Sequence, residues 1–465
     1  MLGKNALLVA GPLLAVAVGL PVGELLGRDA GLTAGITAWT ILWWITEPLP
    51  IPATSLLPLA LLPLTGVLGA SEVAAAYGSP LIILMLGGFI LSRGMESTGT
   101  HRRLAVYMVH TCSRVTGKQS DRSVLFGFMA ASALLSMWIS NTATTLMLLP
   151  IALAILEKSR NPYLPTALML GIAYAANVGG MGTPIGTPSN LIFMEVYAEH
   201  TGQRMGFTEW MRWGVPVVIV FVPVIAWWLA RRLARTEHRD ETLELPAVGR
   251  WQAAERRVLI VFGLTALAWI TRAEPFGGWS GLFGLPNAND AAVALTGALA
   301  LFIVPDGKGG RLLTWEQASD IPWGMLLLFA GGICIAKAFI ASGLSHELGA
   351  LFGGLASLPL LLMMLILCLG VSFLTESTSN TATTTLLMPI LAAAALGAQL
   401  PPELLMVPAA LSASCAFMLP VATAPNAIVF SSGKISALQM MRTGFVLNVI
   451  GACVIALITW AVIQR

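Results

Sequence analysis

Charge is scarce in this sequence. Only 11% of the 465 residues are Asp, Glu, Lys or Arg, against about 25% in a soluble domain. So few charges cannot solvate the surface of a globule this large; lipid must cover most of it, and a soluble fold is excluded. A β-barrel is excluded as well, because it would show short alternating segments in place of long apolar runs. Cysteine and histidine are equally sparse, at five each. Cys112, Cys334, Cys368, Cys415 and Cys453 lie mostly inside apolar stretches without paired spacing. They read as small buried hydrophobes, not as disulfide partners or metal ligands. His101, His110, His200, His238 and His346 fall at segment ends or in loops, and no aspartate pair lies within a span. An intramembrane hydrolase needs such a pair, a Ser–His couple or a His–Glu metal cluster, and is therefore disfavoured. The basic stretch at 231–257 carries no nucleic-acid signature and reads as a solvated linker.

What is present in quantity is long apolar sequence punctuated by 46 glycines and 27 prolines, residues that membrane helices tolerate and transporters use at breaks. The pattern predicts an all-α polytopic membrane protein. Apolar runs long enough to span fall at 5–23, 32–48, 51–69, 79–98, 165–199, 214–233, 256–272, 289–304, 322–341, 403–432 and 442–463, which makes eleven. The first lacks a cleavage site followed by a polar mature domain and is read as a retained helix. Two further stretches, 122–156 and 357–397, are too long for one span, and each has a polar island in its middle. Both fit a re-entrant helical hairpin that dips into the membrane and turns back at the polar tip.

The lysines and arginines give the orientation. With the N-terminus in the cytoplasm and each hairpin returning to its own side, twenty of them lie on or near the cytoplasmic side and five outside (Arg28, Arg204, Arg212, Arg272 and Arg465). This topology places 100–120 and 231–257 in the cytoplasm, 200–213 and 343–356 outside, and the C-terminus outside.

An internal repeat runs through the chain. Residues 140–151 read SNTATTLMLLPI and residues 379–390 read SNTATTTLLMPI, identical at nine of twelve positions at an offset of 239. Downstream of each lies a Gly/Pro-broken span with a Thr-x-x-Asn element, Thr187 to Asn190 and Thr423 to Asn426. Upstream of each lies a glycine pair, Gly87-Gly88 and Gly331-Gly332, followed by a later glycine, Gly99 and Gly343. The hairpins enter from opposite faces, so the halves, 1–235 and 256–465 around a linker at 236–255, are inverted repeats. Such repeats meet near the membrane midplane, and unwound backbone survives there only where it lines a polar cavity. Amides at half-helix N-termini suit a carboxylate. Carbonyl, Ser, Thr and Asn oxygens suit a dehydrated sodium ion. Lys337 and Glu376 lie within apolar segments and receive no role. Trp39, Trp43 and Trp44 are read as interfacial anchors.

The doubled SNTATT motifs, GTPIGTPSN, LPVATAPNAIVF, TESTSNTA and the early WWITEPLPIPATSLLP closely resemble the divalent anion–sodium symporter family, over essentially the whole chain. The resemblance implies eleven spans with two hairpins, a homodimer held by a scaffold domain, and an elevator-type transport domain. It implies sodium-coupled import of succinate, malate, fumarate and related di- or tricarboxylates such as citrate across a bacterial inner membrane. Substrate contacts would fall to Ser140, Asn141, Thr142, Ser379, Asn380, Thr381 and Thr423. One sodium site would match Ser136, Ser140, Asn141 and Gly186, and a second Thr375, Thr378, Asn380 and Ala422. The resemblance thus gives Asn141 and Asn380 each a sodium and a carboxylate to touch, which makes them critical for uptake, with Asn190 and Asn426 one shell further along the broken spans and milder in effect. Ala424 stands where relatives often have proline, which bears on substrate preference and leaves the anion class intact. The rival within transport is a sodium-independent dicarboxylate or citrate exchanger; the hydroxyls of Ser136, Thr375 and Thr378 favour sodium coupling.

Overall fold

A backbone surrounded by hydrocarbon must satisfy its own N–H and C=O groups, and this chain does so as helix. The computed structural model describes residues 4–115, 120–157, 159, 161–233, 249–273, 277–351 and 359–463. Within them every regular element is helical, apart from one isolated bridge between Pro305 and Arg311. Most of the expected linker (236–248), His238 and the side chains of His110 and Cys112 lie outside the described residues.

Eight helices among the described residues are long and apolar enough to cross a membrane. They do not map one to one onto the eleven apolar runs. The run at 51–69 divides into Ile51–Thr54 and Leu56–Thr65, that at 289–304 gives the 14-residue Asp290–Ile303, and that at 403–432 divides into Glu403–Ser412 and Ala424–Ser431. Hydropathy measures the length of an apolar run but not whether its backbone stays wound. Two of the eight, Leu360–Ser377 and Asn380–Gly397, are the arms of the second expected hairpin. The first hairpin appears as Asp121–Ser136 and Asn141–Leu156.

The repeated glycines perform repeated tasks. Gly99 and Gly343 each follow a helix, Pro80–Ser97 and Trp323–Ala341, and adopt φ of 70° and 75°, a region that costs a β-carbon dearly. The long helices Phe207–Leu233 and Ala437–Ile463 each bring a glycine, Gly214 and Gly444, directly against the backbone of a broken span, at Met181 and Phe417 respectively. A methyl group at either position would overlap a carbonyl oxygen.

Two expectations are corrected. Trp43 and Trp44 are buried, not interfacial: the Trp43 Nε1–H donates to Leu7 O (3.0 Å) and the Trp44 Nε1–H to Ser55 Oγ (3.1 Å). Trp39 packs edge-on against Trp43, at 5.2 Å between ring centroids. Gly11 makes this possible, because a β-carbon there would collide with both rings. Cys453 is exposed on its helix, whereas Cys334, Cys368 and Cys415 are buried as expected.

Candidate functional site

The two hairpin tips are built alike. The helix Asp121–Ser136 ends, residues 137–140 are unwound, and Ser140 caps the next helix by accepting the amide of Ala143 at 3.1 Å. Ser136 Oγ, fully buried, donates to Asn141 Oδ1 at 2.6 Å, and Thr145 Oγ1 donates to Asn141 O at 2.8 Å. At the second tip, Thr375 Oγ1 donates to Asn380 Oδ1 at 2.7 Å and Thr384 Oγ1 to Asn380 O at 2.8 Å. These partners correspond at the 239-residue offset, so the repeat extends from letters to hydrogen bonds.

The broken spans correspond too. Leu164–Gly179 passes through a short 3-10 turn, Gly180–Gly182, into extended chain before Pro188–Thr201 begins. Asn190 Nδ2 closes this break by donating to Gly180 O (2.9 Å) and Thr183 O (2.7 Å). In the second break, between Glu403–Ser412 and Ala424–Ser431, Asn426 Nδ2 donates to Ala416 O (2.9 Å) and Leu419 O (3.0 Å), the same carbonyls 236 residues on. Asn190 and Asn426 are completely buried. Their burial adds a structural cost to the milder effect on uptake expected of them. Aspartate at either position would set a carboxylate against two carbonyl oxygens, so Asn190→Asp and Asn426→Asp are expected to lower the yield of folded, monodisperse protein more than any change at the hairpin tips. Comparing detergent-extracted yields of all four Asn→Asp variants checks this.

The second break has a support for which the sequence suggested no role. Glu376 is 4% exposed. Its Oε1 accepts the amides of Phe417 (2.6 Å) and Met418 (2.8 Å) and Nδ2 of Asn448 (2.7 Å), and its Oε2 accepts the amide of Leu419 (3.0 Å). Position 137 corresponds to Glu376 in the first half and is methionine, whose carbonyl accepts the Thr183 hydroxyl. Asn177 was also missed: its Nδ2 reaches across the repeats to Thr423 Oγ1 (3.1 Å) and Asn426 Oδ1 (3.4 Å). A lone amide in the apolar run GIAYAANVGG was the available signal. Lys337 forms an ion pair with Glu199 at 3.2 Å.

Tips and breaks meet at one cavity of about 900 Å³. Every residue singled out for the substrate lines it: Ser140, Asn141, Thr142, Ser379, Asn380, Thr381 and Thr423. Gly186, Thr378 and Ala422 line it as well, while Ser136 and Thr375 stand one layer behind, each bonded to its asparagine. Oxygens converge in both halves. A β-carbon on Gly180 would lie 2.8 Å from Asn141 Oδ1 and 3.1 Å from Gly186 O, and Thr375 Oγ1 also donates to Ala413 O at 3.0 Å. Thr378 is turned elsewhere, its hydroxyl paired with Thr383 at 2.5 Å. Asn141–Leu156, Pro188–Thr201, Asn380–Gly397 and Ala424–Ser431 all begin at this cavity, so four helix N-termini give it partial positive charge. No lysine, arginine or histidine among the described residues lines it. Apolar walls come from Met85, Phe89, Trp138, Ile185 and Met325.

Polar helix breaks around a cavity inside an apolar helical body define a polytopic membrane transport protein. Residues 41–407 match the citrate transporter family. The sodium-dependent dicarboxylate transporter SdcS of Staphylococcus saprophyticus is 40% identical over 440 residues, covering 90% of this chain and 83% of the relative. SdcS of Staphylococcus aureus strain NCTC 8325 is 40% identical over 442 residues with the same coverage. The YdaH transporter of Alcanivorax borkumensis shares the fold, with a TM-score of 0.60 at 13% identity over 86% of this chain and 87% of that one. The chain therefore belongs to the citrate transporter family and is an integral membrane transporter, not an enzyme.

Proposed function

We propose that the protein is a sodium-coupled symporter importing C4-dicarboxylates such as succinate, malate and fumarate. The observation that carries this is the cavity lining: paired Ser-Asn-Thr tips and four helix N-termini, with no cationic side chain among the described residues. Donors of this kind bind carboxylates without supplying a full counter-charge, so a dianion needs bound cations to offset it. The oxygen sets around Asn141 and Asn380 are suited to sodium: Ser136, Ser140, Asn141 and Gly186 in one half, and Thr375, Asn380 and Ala422 in the other, with Thr378 joining after its hydroxyl leaves Thr383. A side-chain amide serves both ligands, its oxygen accepting the cation while its NH₂ donates to the carboxylate. The sodium-dependent dicarboxylate transport named for the SdcS relatives supports the same reading. Its test is uptake of a dicarboxylate panel into proteoliposomes with and without a sodium gradient. Uptake indifferent to sodium, with rapid counterflow, would mean a sodium-independent exchanger.

In this reading the arms around 137–140 and 378–379 are re-entrant hairpins, the halves are inverted repeats within eleven spans, and an elevator-type domain moves against a scaffold that forms a homodimer. The bacterial relatives favour the cytoplasmic membrane, with the N-terminus inside and the C-terminus outside. A cysteine at Gln203 should react with an impermeant maleimide in intact cells, and one at Asp240 should not. Labelling at 240 would sink the topology.

Substrate charge gives a further expected result. Free carboxyls titrate near about 4, and the second carboxyl of a small diacid titrates higher because the first is already charged. Raising pH therefore increases the dianion fraction. Succinate uptake at fixed total concentration should rise between about pH 5.5 and about pH 7.5. Equal or better uptake of the monoanion would count against a dianion site.

A further inference from the structure

Away from the central cavity, a pocket of about 320 Å³ lies among three helix ends. Tyr163 and Thr166 come from the start of Leu164–Gly179, Gln439 and Arg442 from the start of Ala437–Ile463, and Trp228 and Arg231 from the end of Phe207–Leu233. Two helix N-termini and two guanidinium groups thus face one space, which is the electrostatics of an anion site. The Arg231 guanidinium lies over the Trp228 ring at 3.4 Å and beside Trp227 at 5.1 Å. Stacking occupies its face and leaves its in-plane N–H groups free to form a fork on an oxyanion. Neither arginine is paired with a carboxylate among the described residues.

The surroundings identify the class of anion. Trp227 is 59% exposed, and Ile219 and Val220 are exposed on the same helix, so the wall beside the pocket is one that lipid covers. The pocket sits where that wall ends in arginine, at the end of the span-length apolar stretch Phe207–Arg231, and both arginines belong to the basic side of the chain's charge distribution. Among the described residues no carboxylate lines it, so they offer a choline or ethanolamine headgroup no counter-charge.

We propose that this pocket binds the phosphodiester of an anionic phospholipid, clamped between Arg231 and Arg442. The site joins the broken span Leu164–Gly179 to the helix that follows the second broken span, and its occupancy tethers the cavity-bearing helices to the membrane surface. The proposal requires only a membrane-embedded protein and stands apart from the identity of the transported anion.

Thermal unfolding of purified protein in neutral detergent, titrated with phosphatidylglycerol, phosphatidylcholine or inorganic phosphate, tests it, with native mass spectrometry counting retained lipid. Phosphatidylglycerol should raise the midpoint and remain bound while phosphatidylcholine does neither. Arg231→Gln with Arg442→Gln should weaken the phosphatidylglycerol response about tenfold or more, while the midpoint in phosphatidylcholine stays at the wild-type value. Should the double variant fail to fold, the exposed Arg442→Gln change alone and the wild-type lipid series still decide. Equal responses to both lipids, a full response to inorganic phosphate, or an undiminished response in the variant would overturn the proposal. Dicarboxylate uptake in neutral-lipid vesicles, scored separately, keeps this outcome distinct from that of the transport reading.

Discussion

Asn141→Asp and Asn380→Asp should each abolish dicarboxylate uptake while leaving a folded, membrane-inserted protein. Each amide oxygen already accepts a buried hydroxyl, from Ser136 at 2.6 Å and from Thr375 at 2.7 Å. A carboxylate of the same size keeps that acceptor, so local packing and the tip conformation survive. What it loses is the NH₂ donor facing the cavity, and it gains a negative charge beside a dianionic ligand in a chamber that no cationic side chain among the described residues lines. Losing a hydrogen bond to a charged group costs about 1.5–3 kcal/mol before any repulsion is counted. The upper figure alone is on the order of a hundredfold in transport efficiency. If these asparagines only joined helices, each would be worth about 1 kcal/mol, and uptake per folded molecule would survive. Near-normal uptake in both variants, measured against folded protein reconstituted in liposomes, would mean that the cavity is not where substrate binds.

The tips were legible in the sequence because polar residues in hydrocarbon are costly, and two copies at one offset leave little room for accident. The correspondence proved deeper than the letters: Ser136 and Thr375 differ as residue types, yet both donate to the asparagine five positions on. Element lengths were less legible. Residues 403–432 are apolar nearly throughout; the Thr-x-x-Asn element marks a break there, but hydropathy has no term for the extent of a backbone that unwinds at 413–423, buried at 413–417 and open to the cavity at 421–423. The tryptophans were misread for a related reason. Their burial depends on Gly11, on Leu7 O and on Ser55 approaching from other helices, contacts that no local pattern encodes. Glu376 and Asn177 were obscure because their partners lie 41 to 72 and 246 to 249 residues away. They serve the break from outside it.

Glu376 should therefore behave as a structural residue of the second break, and its replacement should cost folding before it costs binding. The unwound segment leaves the amides of Phe417, Met418 and Leu419 without helical acceptors, and a single carboxylate takes all three, plus the amide of Asn448. Glutamine has nearly the same shape but only one acceptor oxygen, and its NH₂ must face a backbone N–H. Glu376→Gln leaves at least one buried donor unpaired, at about 1–3 kcal/mol. Glu376→Ala leaves all four, and each buried donor left unsatisfied costs about 1–3 kcal/mol. The expected order of thermal stability and extractable yield is wild type, then Glu376→Gln, then Glu376→Ala, with Asn448→Ala milder than Glu376→Ala. Met137→Glu, at the corresponding place in the first half, should not restore any of it, since the break there is held by the Thr183 hydroxyl and by Asn190. A Glu376→Gln protein as stable as wild type yet unable to transport would shift the assignment, because the carboxylate would then be acting on the cation or substrate in the cavity it borders. Stability and uptake measured on the same preparation separate the two roles.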